Sequence, residues 1–284
     1  MIGGKILAAT DESAEGRHAV TVAQAIAERG GAPWSVLTVT PPDSMGSAAA
    51  GRLVSSIEPA TGELVPDLER FTAWLGLAAP RASGHPEVAL AFGVPGIEIS
   101  RLARLREADL IMLGRRDRAP DRRLLLGDTS DAVVRRSDVP VLFVPTRVRV
   151  FKRMVVALDG TDRALAVLET ALAMAKMLGA EFRALMVEPD LADESEPGLG
   201  SPMPRGRTIR LAELLRRVPG GEGRTLAIRH GNPVEEILAD LQETETDLLV
   251  IGYRRGGPPK VIGPTDIART LLHAAPAAVL TVPI

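Results

Sequence analysis

Residues 108–145 read ADLIMLGRRDRAPDRRLLLGDTSDAVVRRSDVPVLFVP, and the fold turns on them. Ala108 to Gly114 is the pattern of a buried strand that stops at a glycine. An arginine-rich loop follows, then a short helix opening near Asp128, then a second buried strand, VLFVP. The layout returns 138 positions later, from Thr246 to Pro283, where TDLLVIG answers ADLIMLG and VLTVP answers VLFVP. A strand that ends in glycine and passes through a loop to a helix N-terminus is where α/β proteins place anionic ligands. Free N–H groups and the helix dipole converge there.

Working outward, Lys5 to Thr10 is an apolar run ended by Asp11, with Ser13 placed to cap a helix. Ala19, Val22, Ala23, Ile26 and Ala27 recur at helical spacing until Gly30-Gly31 stops them. Trp34 to Thr40 is the second strand, and residues 41–62 are a loop rich in Pro, Ser, Gly and Ala. A helix pattern covers 65–79, a strand 88–92 and a helix most of 93–107. The alternation βαβαβαβαβ implies a parallel sheet with helices on both faces. After a junction at Val148 to Phe151 the order restarts with Met154 to Leu158, Asp159 and Thr161 as the helix cap. Asp11 and Asp159 are 148 apart, as are Val39 and Val187. Phe92-Gly-Val-Pro95 and His230-Gly-Asn-Pro233 are 138 apart, like everything after them. A fixed offset on each side of one gap marks an internal duplication, with domains expected at 1–147 and 148–284.

The length of 284 residues suits two domains, each able to bury its own core. No stretch approaches the roughly 18 apolar residues of a membrane span, so no membrane partner is expected. With a strand pattern beginning near Lys5, no signal peptide is expected. The chain has no cysteine, which removes thiol catalysis and Cys-ligated metals and fits a cytoplasmic, reducing setting. A net charge of −2 and eight aromatic residues give neither bulk attraction to nucleic acid nor stacking platforms for it. Because 30 of the 34 basic residues are arginine, an arginine in a loop is weak evidence of a site. There is no Gly-x-Ser-x-Gly and no Gly-x-Gly-x-x-Gly after either first strand. His18, His85, His230 and His273 lack metal-ligand spacing.

The strand endings TDES and LDGT, the GVP and GNP turns, the ADLIMLG and TDLLVIG strands and the VPVLFVP ending act together. Through them the repeated unit resembles the universal stress protein family over nearly the whole chain, twice. The resemblance implies two tandem, doubly wound, five-stranded parallel-sheet domains of the Rossmann-type α/β/α kind. It also implies that they pair through their last strands as an intrachain pseudo-dimer, which leaves room for a further homodimer. Nucleotide-binding members carry Gly-x2-Gly-x9-Gly-[Ser/Thr] after the fourth strand. Glycines there let the backbone approach phosphate, and the hydroxyl donates to it. In the first copy Gly114 and Gly127 match, Asp117 replaces the second glycine, and Asp128 replaces the hydroxyl. In the second copy Gly252 matches, while Arg255, Thr265 and Asp266 take the remaining positions.

A carboxylate at a helix N-terminus bonds the free N–H groups itself, worth about 0.5–2 kcal/mol. A phosphate within about 4 Å of it meets roughly 4 kcal/mol of repulsion at an effective dielectric near 20. Arg115, Arg116, Arg122 and Arg123 in the first copy, and Arg254 and Lys260 in the second, are placed to offset part of this. By the resemblance, a bound ATP would set Asp11 beside base and ribose, Val39 in the base pocket, Gly114 and Gly127 at the phosphates, and Thr129 as the nearest hydroxyl. Asp159, Val187 and Gly252 are the equivalents. The first copy is favoured, because Pro258, Pro259 and Pro264 remove donors from the second loop. On the plain reading, Asp11 and Asp159 only order a turn, and Asp128 and Asp266 only cap helices. The expectation is a non-catalytic stress-response regulatory or interaction protein with degenerate nucleotide sites and no firm cofactor. The alternative is an ATP-binding protein with at most slow hydrolysis.

Overall fold

The structure, a computed structural model, describes residues 4–41, 71, 73–74, 86–116, 128–189, 206–254 and 267–284. In the first half the apolar runs become β1 (Lys5–Thr10), β2 (Trp34–Thr40), β3 (Glu87–Phe92), β4 (Ala108–Arg115) and β5 (Val141–Pro145). Between them lie α1 (Ala14–Gly30), α2 (Pro95–Leu105) and α3 (Asp128–Arg136). The second half repeats the order with β6 (Arg153–Ala157), β7 (Glu181–Glu188), β8 (Leu226–His230), β9 (Leu248–Tyr253) and β10 (Ala278–Pro283). Its helices are α4 (Ala164–Leu178), α5 (Arg207–Arg217), α6 (Pro233–Glu243) and α7 (Ile267–Ala274).

All ten strands join one sheet in the order β3-β2-β1-β4-β5-β10-β9-β6-β7-β8. Pairing is parallel within each half and antiparallel at β5–β10, where the halves meet through their last strands as expected. Val141 faces Thr281, Leu142 faces Leu280, and Phe143 faces Val279. Leu280 is Leu142 carried forward by 138 (280 − 142), so a pseudo-two-fold axis passes between these two leucines.

Strand side chains alternate between faces, and both faces are covered, which is why the central strands are apolar throughout. One core layer holds Ile6, Ala8, Leu110, Met112 and Leu142 under α1 and runs on without a break to Met154, Val156, Leu168 and Met174 under α4. The other holds Leu7, Ile111, Phe143, Leu249 and Val279 against Ile99, Val133, Ile237 and Leu271 of α2, α3, α6 and α7. Gly31 ends α1 and Gly179 ends α4, both in the left-handed region, at φ 62° and 64°.

Ser13 caps α1 by accepting from the Gly16 N–H at 3.0 Å. Thr161 does not cap α4: that helix starts at Ala164, and the residue before it, Arg163, is already helical and makes no side-chain cap bond. The Thr161 hydroxyl donates to Asp159 instead. Of the helix expected over 65–79, Phe71, Ala73 and Trp74 are helical and the rest lies outside the described residues. Phe71 stacks on Trp74 with ring centres 5.8 Å apart, and the Arg17 guanidinium sits 4.3 Å from a Trp74 ring centre.

Candidate functional site

The first crevice forms where β1 and β4 end beside the start of α1. Asp11 leaves β1 and folds its carboxylate back on the chain. Its Oδ1 accepts from the Ser13 N–H at 3.1 Å and from the Ser13 hydroxyl. Its Oδ2 lies 3.7 Å from a guanidinium nitrogen of Arg116, in an exposed pair. Glu12 takes a left-handed conformation, φ 60°, and its N–H donates to Thr10 Oγ1 at 3.1 Å.

Gly16 lies against Thr10 and Asp11, where a Cβ would fall 3.0 Å from Asp11 Oδ1 and closer still to Thr10 Oγ1. Without that Cβ, the first turn of α1 settles directly over the end of β4. At Gly114 an added Cβ would stand 2.5 Å from the Glu15 carbonyl oxygen and 2.7 Å from the Gly16 nitrogen. The glycine that resembles the start of a phosphate motif is therefore demanded by chain packing alone.

Arg115, expected to offset negative charge in the loop, does something else. Its guanidinium donates to the carbonyls of Leu272 at 2.9 Å, Ala275 at 2.7 Å and Ala277 at 2.8 Å, at and just beyond the C-terminal end of α7 in the other half. Successive residues of a strand point to opposite faces, so Arg115 and Arg116 part company: Arg116 stays at the crevice with Asp11.

Val39 is partly buried and packs on the second core layer, as does Val187 in the other half. Thr129 sits in the first turn of α3, on the side where α2 crosses. A Cβ on Gly96 would lie 3.3 Å from the Thr129 carbonyl oxygen. Gly127, the Asp128 side chain, Asp117, Arg122 and Arg123 lie outside the described residues, as do Arg255, Lys260, Thr265 and Asp266.

The second crevice repeats the turn but not the closure. Asp159 Oδ1 accepts from the Thr161 N–H at 3.0 Å and from its hydroxyl at 2.7 Å. Gly160, φ 66°, takes the conformation that Glu12 takes in the first half. Ala164 stands at the position of Gly16 (164 − 16 = 148), and the helix begins two residues later than its counterpart. Over Gly252 the nearest atoms to an added Cβ among the described residues are side-chain carbons, Ile284 Cδ1 at 3.0 Å and Val167 Cγ2 at 3.1 Å. Beside it α5 is held down by Arg210 on Asp162 and by Thr208 donating to Glu188.

A charged network under α6 escaped the sequence reading. Asp240 is buried, with 1% of its side chain exposed, and Arg183 of β7 grips both of its oxygens. Arg229 of β8 adds a bond to Asp240 Oδ1 at 3.4 Å, to Glu236 at 2.7 Å, and to both oxygens of Glu243 at 2.8 and 3.1 Å. The bonds from Glu243 and Glu236 raise the Arg229 pKa above its ordinary value, and Arg229 in turn holds the Glu243 carboxyl below its own. The first half has Ser35, Leu102, Ala91 and Leu105 at the positions of Arg183, Asp240, Arg229 and Glu243. The available signal was an arginine inside the apolar run EFRALMVE, and an aspartate on the apolar stripe of α6.

Among the described residues, no group of three or more His, Asp or Glu is arranged to hold a metal ion. No helix among them is long and apolar enough to cross a membrane. In comparisons with known proteins, the model for a family described as the universal stress protein family matches residues 4–145 and again 151–283. None of the curated proteins matches the chain. A universal stress protein from Archaeoglobus fulgidus DSM 4304 has a similar structure, with a TM-score of 0.71 and 20% identity, over 100% of this chain and 99% of its own. A Pseudomonas aeruginosa UCBPP-PA14 protein named for the same family gives 0.65 and 17%, over 98% and 92%. At these identities the likeness is one of fold.

Proposed function

The chain belongs to the universal stress protein family through both of its halves, and from that premise we propose that it is a non-catalytic regulatory or interaction protein of the stress response, acting in the cytoplasm. On this reading its domains are residues 1–147 and 148–284, and its nucleotide sites have degenerated. The observation that carries it is the first crevice. The turn of α1 occupies the space over Gly114, and Arg115 is spent on the other half. Asp11 is bonded to Ser13 and faces Arg116. A crevice whose polar groups answer one another has little left to offer a triphosphate. The acidic residues Asp128 and Asp266 at the hydroxyl positions add repulsion where phosphate would approach.

One observation favours a second reading, ATP binding with at most slow hydrolysis. Among the described residues, the nearest atoms over Gly252 belong to side chains and not to backbone, so the second crevice is less firmly closed than the first. On that reading Asp159, Val187 and Gly252 hold the nucleotide, and the preference moves from the first unit to the second.

Mass spectrometry of the denatured protein, followed by titration with Mg-ATP, tests both. The first reading expects no co-purified adenine nucleotide and a dissociation constant weaker than about 1 mM, or about −4 kcal/mol. One nucleotide per chain would overturn it. Asp266→Ser and Asp128→Ser are each expected to tighten binding at least about tenfold, part of the roughly 4 kcal/mol of repulsion at 4 Å. Unchanged affinity in both would remove the electrostatic argument.

A further inference from the structure

The contact between the halves is not symmetric in its chemistry. Asp131 of α3 and Arg269 of α7 are the same position in the two copies (269 − 131 = 138), and they face each other at 3.7 Å. Their side chains are 12% and 23% exposed, so solvent screens this pair less than a surface pair. Asp131 also lies 3.6 Å from Arg135 on its own helix. A contact between equivalent positions lies on the pseudo-two-fold axis, as Leu142–Leu280 does. Whatever stands at such a position in a pair of identical units meets itself.

Two further contacts run from guanidinium groups of the first half to carbonyls of the second. Arg29 donates to the Leu178 carbonyl at 2.5 Å, and Arg115 donates to the three carbonyls at the end of α7. The equivalents of Arg29 and Arg115 in the second copy are Met177 and Tyr253, neither of which carries a guanidinium.

We propose that this surface selects an unlike unit: the first half of the chain fits the second half and refuses another first half, and the second half refuses another second half. Two first units would set Asp131 against Asp131, and two second units would set Arg269 against Arg269. In each case like charges meet at an axis partly shielded from water, which is a repulsive element working against the wrong partner. A second copy of the whole chain is thereby kept off this surface, and any further association uses another.

The full-length chain carries its own test. Arg269→Asp recreates at this position the pairing of two first units, and Asp131→Arg that of two second units. Each is expected to lower the folding equilibrium constant at least tenfold in guanidinium titrations and to speed hydrogen exchange at the Leu142 and Leu280 amides. The exchanged pair Asp131→Arg with Arg269→Asp is expected to recover most of both losses. A double variant as weak as the two singles combined would overturn the proposal. If either single fails to fold, Asp131→Asn and Arg269→Gln form a milder double-mutant cycle. There a coupling of about threefold or more supports the proposal, and additive effects overturn it.

Discussion

Gly114 lies directly under Glu15, with the helix backbone where a side chain would have to go. Gly114→Ala must therefore push the first turn of α1 off the end of β4. The expected cost is about 1–3 kcal/mol, the range for overpacking a close contact. Gly252→Ala meets side chains, those of Ile284 and Val167, as its nearest neighbours among the described residues and is expected to cost under about 1.5 kcal/mol. Denaturant midpoints of the two variants give the comparison. Equal, small losses would mean that Gly114 is not held by packing.

Arg183 and Arg229 both close on Asp240, whose side chain is 1% exposed. Asp240→Asn leaves two guanidinium groups facing a partner without charge. The expected loss is about 3 kcal/mol, the low end for breaking a buried pair, because Arg183 keeps some exposure. Putting in the first half's residues together, Arg183→Ser, Arg229→Ala and Asp240→Leu, is expected to restore part of that loss. Chemical denaturation of the single and triple variants decides. A triple variant weaker than Asp240→Asn would show the network to be more than a replaceable staple.

The same network sets an acid limit. Arg229 bonds both oxygens of Glu243 and holds its pKa below the ordinary 4.5. A carboxyl depressed in the folded state contributes stability that is fully present above its unfolded value. That contribution is lost as pH falls through the lower folded value. Glu243→Gln is therefore expected to flatten the fall of melting temperature below about pH 4.5, while the parent curve keeps its slope. Identical slopes in a pH 3–6 series would remove Glu243 from the account.

Much of this was written in the residues, and the parts that were not share a cause. Periodicity and the two offsets place the strands and the duplication, because both follow from local spacing. The Asp11 and Asp159 turns were legible for the same reason, since each carboxylate bonds a residue two positions on. The role of Gly114 was not, because the backbone that covers it comes from 99 positions away (114 − 15) and depends on Gly16 rather than Ala164. The direction of Arg115 is not legible either: its three carbonyl partners lie more than 150 positions away and come within reach only once β10 is docked beside β5. Thr161 has the right chemistry for a cap, yet Asp159 takes its hydroxyl before the helix begins.

Arg115 separates an anion loop from a structural clamp. It satisfies the Leu272, Ala275 and Ala277 carbonyls, where free acceptors and the negative end of the α7 dipole converge. Arg115→Ala is expected to cost about 1.5–3 kcal/mol, the range for bonds to a charged donor. Arg115→Lys is expected to recover less than half, since a point charge cannot reproduce a planar fork that reaches three acceptors. Arg116→Ala, which loses only an exposed pair with Asp11, is expected to cost less than about 1 kcal/mol. Denaturant unfolding without added nucleotide measures all three. If Arg116→Ala proves the more damaging, the polar weight of this loop lies in the crevice and not across the halves.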